Sequence, residues 1–179
     1  MTSDDILNFW FEEIEKSQRW VKDVDFDNLI KDRFGEIHAS ANHCELYDWR
    51  ATAKGRLAEI IVLDQFSRNM FRGASESFAS DPLALALAQE AISVGADHEL
   101  NESEKCFLYM PFMHSESLKI HEVAIELFGN LGNQSNLDFE IRHKKIIKEF
   151  GRYPHRNEIL GRVSTDTEIK FLDQPGSNF

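Results

Sequence analysis

Cysteine is scarce in this chain. Two residues, Cys44 and Cys106, stand far apart among 179 with no CxxC or zinc-ligand spacing, so neither a disulfide framework nor a cysteine zinc site is expected, and both read as reduced thiols of a cytoplasmic protein. Long apolar runs are missing: none approaches the ~20 residues that span a bilayer. The opening Met1-Thr2-Ser3-Asp4-Asp5 is acidic where a secretory leader needs positive charge. Basic residues are outnumbered, 20 Lys and Arg against 31 Asp and Glu for a formal charge of -11, which disfavours non-specific binding to nucleic acid or an anionic membrane. The few glycines fall outside GxGxxG and GxxxxGK[ST] patterns, and HExxH, EF-hand and GxSxG motifs are absent. No alternating β-branched run calls for a sheet.

What remains is helical. With 42% hydrophobic residues, a chain of this length buries roughly two thirds of its extended surface, enough for one core and a single domain over residues 1–179. A short aromatic helix (Ile6, Leu7, Phe9, Trp10, Phe11) follows capping candidates Ser3 and Asp4. A second runs from about Asp25 toward Asn42, capped by Asp23 or Asp25. The clearest spans 52–70 and is apolar nearly all round, so it should be central. Asp81 as N-cap with Pro82 after it, Asn101 with Glu104, Ser115 or Ser117, Asn136, Pro154 and Thr165 mark further starts; Gly73, Gly95, the Gly129-Asn130-Leu131-Gly132-Asn133 break and Gly151 mark stops. Pro111 should kink or end its helix shortly before His114. The pattern predicts a compact antiparallel array of about eight helices without a fixed-period repeat.

Three polar segments interrupt this apolar pattern. In the central helix Asp64 and Arg68 stand four apart and can pair, with Gln65, Asn69 and Arg72 on the adjacent side. After Pro111-Phe112-Met113 come His114 and Glu116, chemically suited to proton relay. His143 lies on the Phe139/Ile146/Phe150 stripe as a hydrogen-bonded interior histidine, and Arg152, His155, Arg156 and Asn157 gather donors at a helix start that also favours anions. Residues 142–162 hold seven Lys or Arg against two Glu, an exception in an acidic chain. If the segments converge, Arg68, Arg72, Arg152 and Arg156 can hold a carboxylate or phosphate while His114 or His155 moves a proton. His114 and His121 lack a third well-spaced ligand, so no metal is expected, nor any cofactor.

The segments Leu63-Asp64-Gln65-Phe66-x-Arg68-Asn69-x-Phe71-Arg72-Gly73, Pro111-Phe112-Met113-His114-Ser115-Glu116 and Arg142-His143-x-x-Ile146-Ile147-x-x-Phe150-Gly151-Arg152-Tyr153-Pro154-His155-Arg156-Asn157 resemble the signature stretches of the bacterial domain-of-unknown-function family 924. The likeness extends from Phe9-Trp10-Phe11 to Pro175-Gly176-Ser177-x-Phe179. It implies an all-helical, tetratricopeptide-like fold in a cytoplasmic protein and supplies no substrate, mechanism or cofactor. The residues themselves read first as a helical binding module for an anionic small molecule or peptide carboxylate, contacted by Asp64, Arg68, Asn69, Arg72, His143, Arg152, Arg156 and Asn157. The alternative is an acid/base enzyme such as a hydrolase using His114, Glu116 and His155, and the third is a purely structural polar cluster. Oligomeric state is not legible.

Overall fold

Short-range capping chemistry sets many of the helix ends in the computed structural model, which describes residues 1–177. Phe179, part of the terminal segment of the family resemblance, lies outside the described residues. Helix α1 (Ser3–Asn8) is capped by Thr2 in a reciprocal box with Asp5, one residue before the expected Ser3, and continues through a π-helical turn, Phe9–Glu13. Asp23 caps α2 (Val24–Asn42), which runs unbroken through Gly35. Thr52 caps α3 (Ala53–Ile61), followed by a second π-helical turn, Val62–Phe66, and α4 (Ser67–Met70). The start of α5 (Asp81–Ser93) differs from expectation: Ser80 occupies the cap position, and Asp81 sits in the first turn with Pro82.

Helix α6 (Glu102–Met113) starts on the expected Asn101/Glu104 pair and absorbs Pro111 before ending at Met113. Helix α7 (Leu118–Leu131) begins after Ser117, passes through Gly129 and ends inside the expected 129–133 break, where Gly132, left-handed at φ 82°, stops it. Asn133 caps α8 (Gln134–Phe150), Gly151 ends it at φ 70°, and Thr165 with Glu168 boxes the start of α9 (Asp166–Leu172). No strand occurs among the described residues, and none of their helices is long and apolar enough to cross a membrane.

Two compact units emerge. Unit one comprises Met1–Arg72 and Glu76–Pro111; unit two comprises Gly73–Ser75 and the chain from Phe112 onward. In unit one, α1 and α5 pack on α3, while α2 packs on the second π turn and α4. Phe9, Phe34 and Phe66 meet at ring-centroid separations of 4.7 and 4.8 Å, and Trp10 closes edge-on against Phe66 and Phe107. Fully burying each such side chain contributes roughly 1.5–3 kcal/mol. Gly55 allows α3 to pass the preceding turn, since a Cβ there would lie 2.0 Å from the Trp49 carbonyl oxygen. Unit two is built on the α7/α8 hairpin, with Ile146, Ile147 and Tyr153 as its buried apolar cluster and Phe150 and Phe171 against it.

Candidate functional site

The polar residues of the central helix are matched inside unit one. Asp64, 1% exposed, lies 3.1 Å from Arg68 Nη1 and accepts from Gln65 Nε2 at 2.5 Å. Arg68 also donates to Asp81 through both terminal nitrogens, at 3.0 and 3.2 Å. Asn69 and Arg72 converge on Asp27, contributed by α2: Asn69 Nδ2 donates at 2.8 Å, and Arg72 donates at 2.5 and 2.8 Å. Nearby, His38 Nε2 stands 2.7 Å from Ser67 Oγ, which resembles a base and a nucleophile. The hydroxyl proton is committed elsewhere, however, to the Leu63 carbonyl at 2.6 Å. Nε2 must therefore donate to Ser67, the reverse of what activating a nucleophile requires. Burial pushes His38 down, keeping it neutral.

In unit two, the 114–116 turn and the 152–157 segment meet around Tyr153, which has no exposed surface. The Tyr153 hydroxyl donates to the Met113 carbonyl at 2.5 Å, its backbone N–H donates to Glu116 at 2.8 Å, and Arg162 donates to its carbonyl at 3.1 Å. Arg156 lies with its guanidinium 4.6 Å from the centre of the Tyr153 ring and donates to the His114 carbonyl at 3.1 Å. The rings of His155 and His143 are 5.5 and 5.7 Å from the Tyr153 centroid. His114 and His155 are half-buried, whereas Arg156 and Asn157 are buried.

The charges in this cluster have distinct roles. Burial opposes the Glu116 charge, but the bidentate bonds from Arg162 at 2.6 and 2.9 Å and the Tyr153 N–H hold its carboxyl below the usual range. Such a group is an ionised anchor at neutral pH, poorly matched to donating a proton. Arg152 forks onto Glu168 at 2.7 and 2.8 Å, pulling that carboxyl down to about 2 even against its desolvation. Asn157 Nδ2 donates to Ser164. His143 bonds the Phe139 carbonyl through Nδ1 at 2.8 Å, and burial drives its pKa down to about 3 despite that bond, with His114, His121 and His155 adding repulsion. The predicted stripe on α8 is rotated: Phe139 is exposed, and the buried face is Glu140, His143, Ile146 and Ile147.

Sequence reasoning passed over the deepest pair in unit two. His121 of α7 and Glu140 of α8 are both without exposed surface, with Nδ1 and Oε1 2.7 Å apart. Their positions could have been found, because His121 shares the Ala124/Phe128 face and Glu140 the His143/Ile147 face at helical spacing. Arg162 and Glu168 carried no comparable signal, since each is polar in a polar stretch. No group of three or more His, Cys, Asp or Glu side chains among the described residues could hold a metal ion.

The sequence profile of the bacterial proteins of unknown function termed DUF924 matches residues 6–176. The chain belongs to this family. It is also similar to a solved structure, the protein of unknown function ATU0120 from Agrobacterium tumefaciens: identity is 39%, 96% of each chain is covered, and the TM-score is 0.91. No functionally curated protein matches. Family membership thus accompanies the fold and leaves the chemistry of the Tyr153 cluster to be read from its own residues.

Proposed function

We propose that unit two binds a small carboxylate- or phosphate-bearing molecule, or the terminal carboxylate of a peptide, at the rim formed by His114, His155 and Arg156. The observation carrying this reading is that His155 and Arg156 both pack on the buried Tyr153 ring while Arg156 also donates to the His114 backbone carbonyl, about forty residues away in the chain, with both imidazoles half-exposed. In this reading Arg156 supplies charge, His114 and His155 supply adjustable donors, and His143 and Asn157 shape the floor. Arg152 with Glu168 and Arg162 with Glu116 are braces. Asp64, Arg68, Asn69 and Arg72 act as a structural network in unit one. Exposed Cys44 and buried Cys106 stand outside any disulfide, which supports a reducing, cytoplasmic setting.

The test is calorimetric titration of the full chain with inorganic phosphate, acetate and a short peptide. Saturable binding is expected, weakened at least tenfold by Arg156→Gln and little changed by Arg68→Gln. Absence of saturable binding to the wild type would sink the reading. A second reading, acid/base catalysis, is favoured by the same two half-buried imidazoles: His114 and His155 would exchange the proton, with Glu116 fixing the field around them. It predicts turnover of some ester or phosphoester in a hydrolysis panel, lost in His155→Asn.

A further inference from the structure

The geometry between α7 and α8 points to a buried proton-binding site: we propose that His121 and Glu140 share one proton that folded unit two retains through neutral pH and releases when the pair separates. The proton count follows from the contacts. His121 Nε2 stands 2.8 Å from the Ser115 carbonyl oxygen, which only accepts, so this nitrogen carries a hydrogen. It also reaches the Tyr153 hydroxyl oxygen at 3.2 Å, whose own proton is committed to Met113. Across the ring, Nδ1 and Glu140 Oε1 approach to 2.7 Å, which requires one hydrogen between them. Whether that hydrogen resides on the imidazole or the carboxyl, the pair is neutral overall.

Neither neighbouring protonation state suits the site. A second proton would give a net positive charge where neither side chain touches water, and would fall on Glu140 Oε2, which has no hydrogen-bond partner among the described residues. Removing the shared proton leaves a carboxylate facing an imidazole lone pair. Among the titratable and charged groups, Lys144 on α8 acts on Glu140, the Tyr153 hydroxyl after α8 meets His121, and His143 on α8 stands beside His121 and is itself repelled by His114 on the turn before α7 and by His155 after α8. Burial raises Glu140 and holds His143 neutral, which adds no second charge beside the pair. The proton is also a fastener, since His121 holds the Ser115 carbonyl and contacts Tyr153, which in turn holds Met113.

The linkage has a definite sign. With ordinary values of about 6.5 for His and 4.3 for Glu, the separated pair holds one proton between those pH values, none above about 6.5 and two below about 4.3. The folded pair holds one throughout. Opening therefore becomes more favourable on both sides, by about tenfold per pH unit above 6.5.

Hydrogen exchange of the α7 and α8 amides in the full chain, corrected for the intrinsic exchange rate, tests this between pH 6.5 and 8. The wild-type opening constant should rise about tenfold per pH unit, and in Glu140→Gln, whose amide can donate to a neutral Nδ1, the slope should vanish. Parallel slopes would overturn the proposal. Should Glu140→Gln not fold, nitrogen NMR of the wild-type His121 ring decides: both ring shifts should stay constant from pH 5 to 8, and a midpoint near 6.5 would refute the shared proton.

Discussion

Asp27 in unit one and Glu140 in unit two are both buried carboxylates reached from another part of the chain, but their partners differ in kind. Asp27 takes a guanidinium and an amide, from Arg72 and Asn69, and Arg68 likewise bridges Asp64 and Asp81. Glu140 takes an imidazole. Guanidinium stays charged at any ordinary pH, so the unit-one lattice is fixed once formed, whereas imidazole changes charge near neutrality. The overall balance follows the same division: unit one has 11 Lys and Arg against 21 Asp and Glu, and unit two has 9 against 10. Four of the seven histidines are in unit two, two of them buried, and in unit one His38 alone is buried. Unit one is thus held by permanent ion pairs in an acidic body, whereas unit two adds to its Arg152–Glu168 and Arg162–Glu116 pairs a buried imidazole–carboxylate pair that unit one lacks among the described residues.

The largest test of this contrast is deletion of each key carboxylate. Glu140→Ala leaves a cavity and a buried imidazole nitrogen without its partner, and should cost about 3–5 kcal/mol in denaturant unfolding near pH 6. Asp64→Ala should cost less, about 2–3 kcal/mol, because Arg68 is one-fifth exposed and keeps Asp81. Equal losses would remove the distinction between a shared-proton pair and a charge lattice with spare partners.

Acid titration sharpens the comparison further. His143 is depressed when folded, so its stabilising contribution is fully present above the unfolded value of about 6.5 and is lost as pH falls toward about 3, at about 1.4 kcal/mol per pH unit. His143→Leu should flatten that loss in unit two while leaving unit one's dependence through His38 in place. Exchange protection of α8 against that of α2 separates the two. The smallest effect is expected at a solvent-facing brace: Arg152→Lys surrenders the fork onto Glu168 but keeps a positive charge, and should lower the melting temperature less than any substitution above. A loss matching that of Asp64→Ala would mean that Arg152 belongs with the buried groups.

How far these features could be read in advance depends on sequence distance. The Asp64 and Arg68 pair was visible because four residues is one helical turn, and Asn101 with Glu104 because a capping box closes within three. The π-helical turn over Val62–Phe66 was not, since it departs from the even 100° per residue that helical periodicity assumes. Nothing local marks Asp27 as the acceptor for Arg72, or Glu116 for Arg162, across separations of 45 and 46 residues. The Tyr153 cluster was half legible: its members were conspicuous as polar groups in apolar surroundings, but the ring that gathers them looked like one more aromatic.

Helix positions, most of their caps and the need to satisfy certain buried polar groups were determined by the sequence alone, because periodicity and capping act over three to seven residues. Which carboxylate meets which guanidinium or imidazole, and therefore where a buried imidazole–carboxylate pair arises beside the fixed ion pairs, was decided only when the helices packed. Desolvation is a property of the assembled interior: His121 and Glu140 become a single proton-holding unit because α7 and α8 exclude water from both.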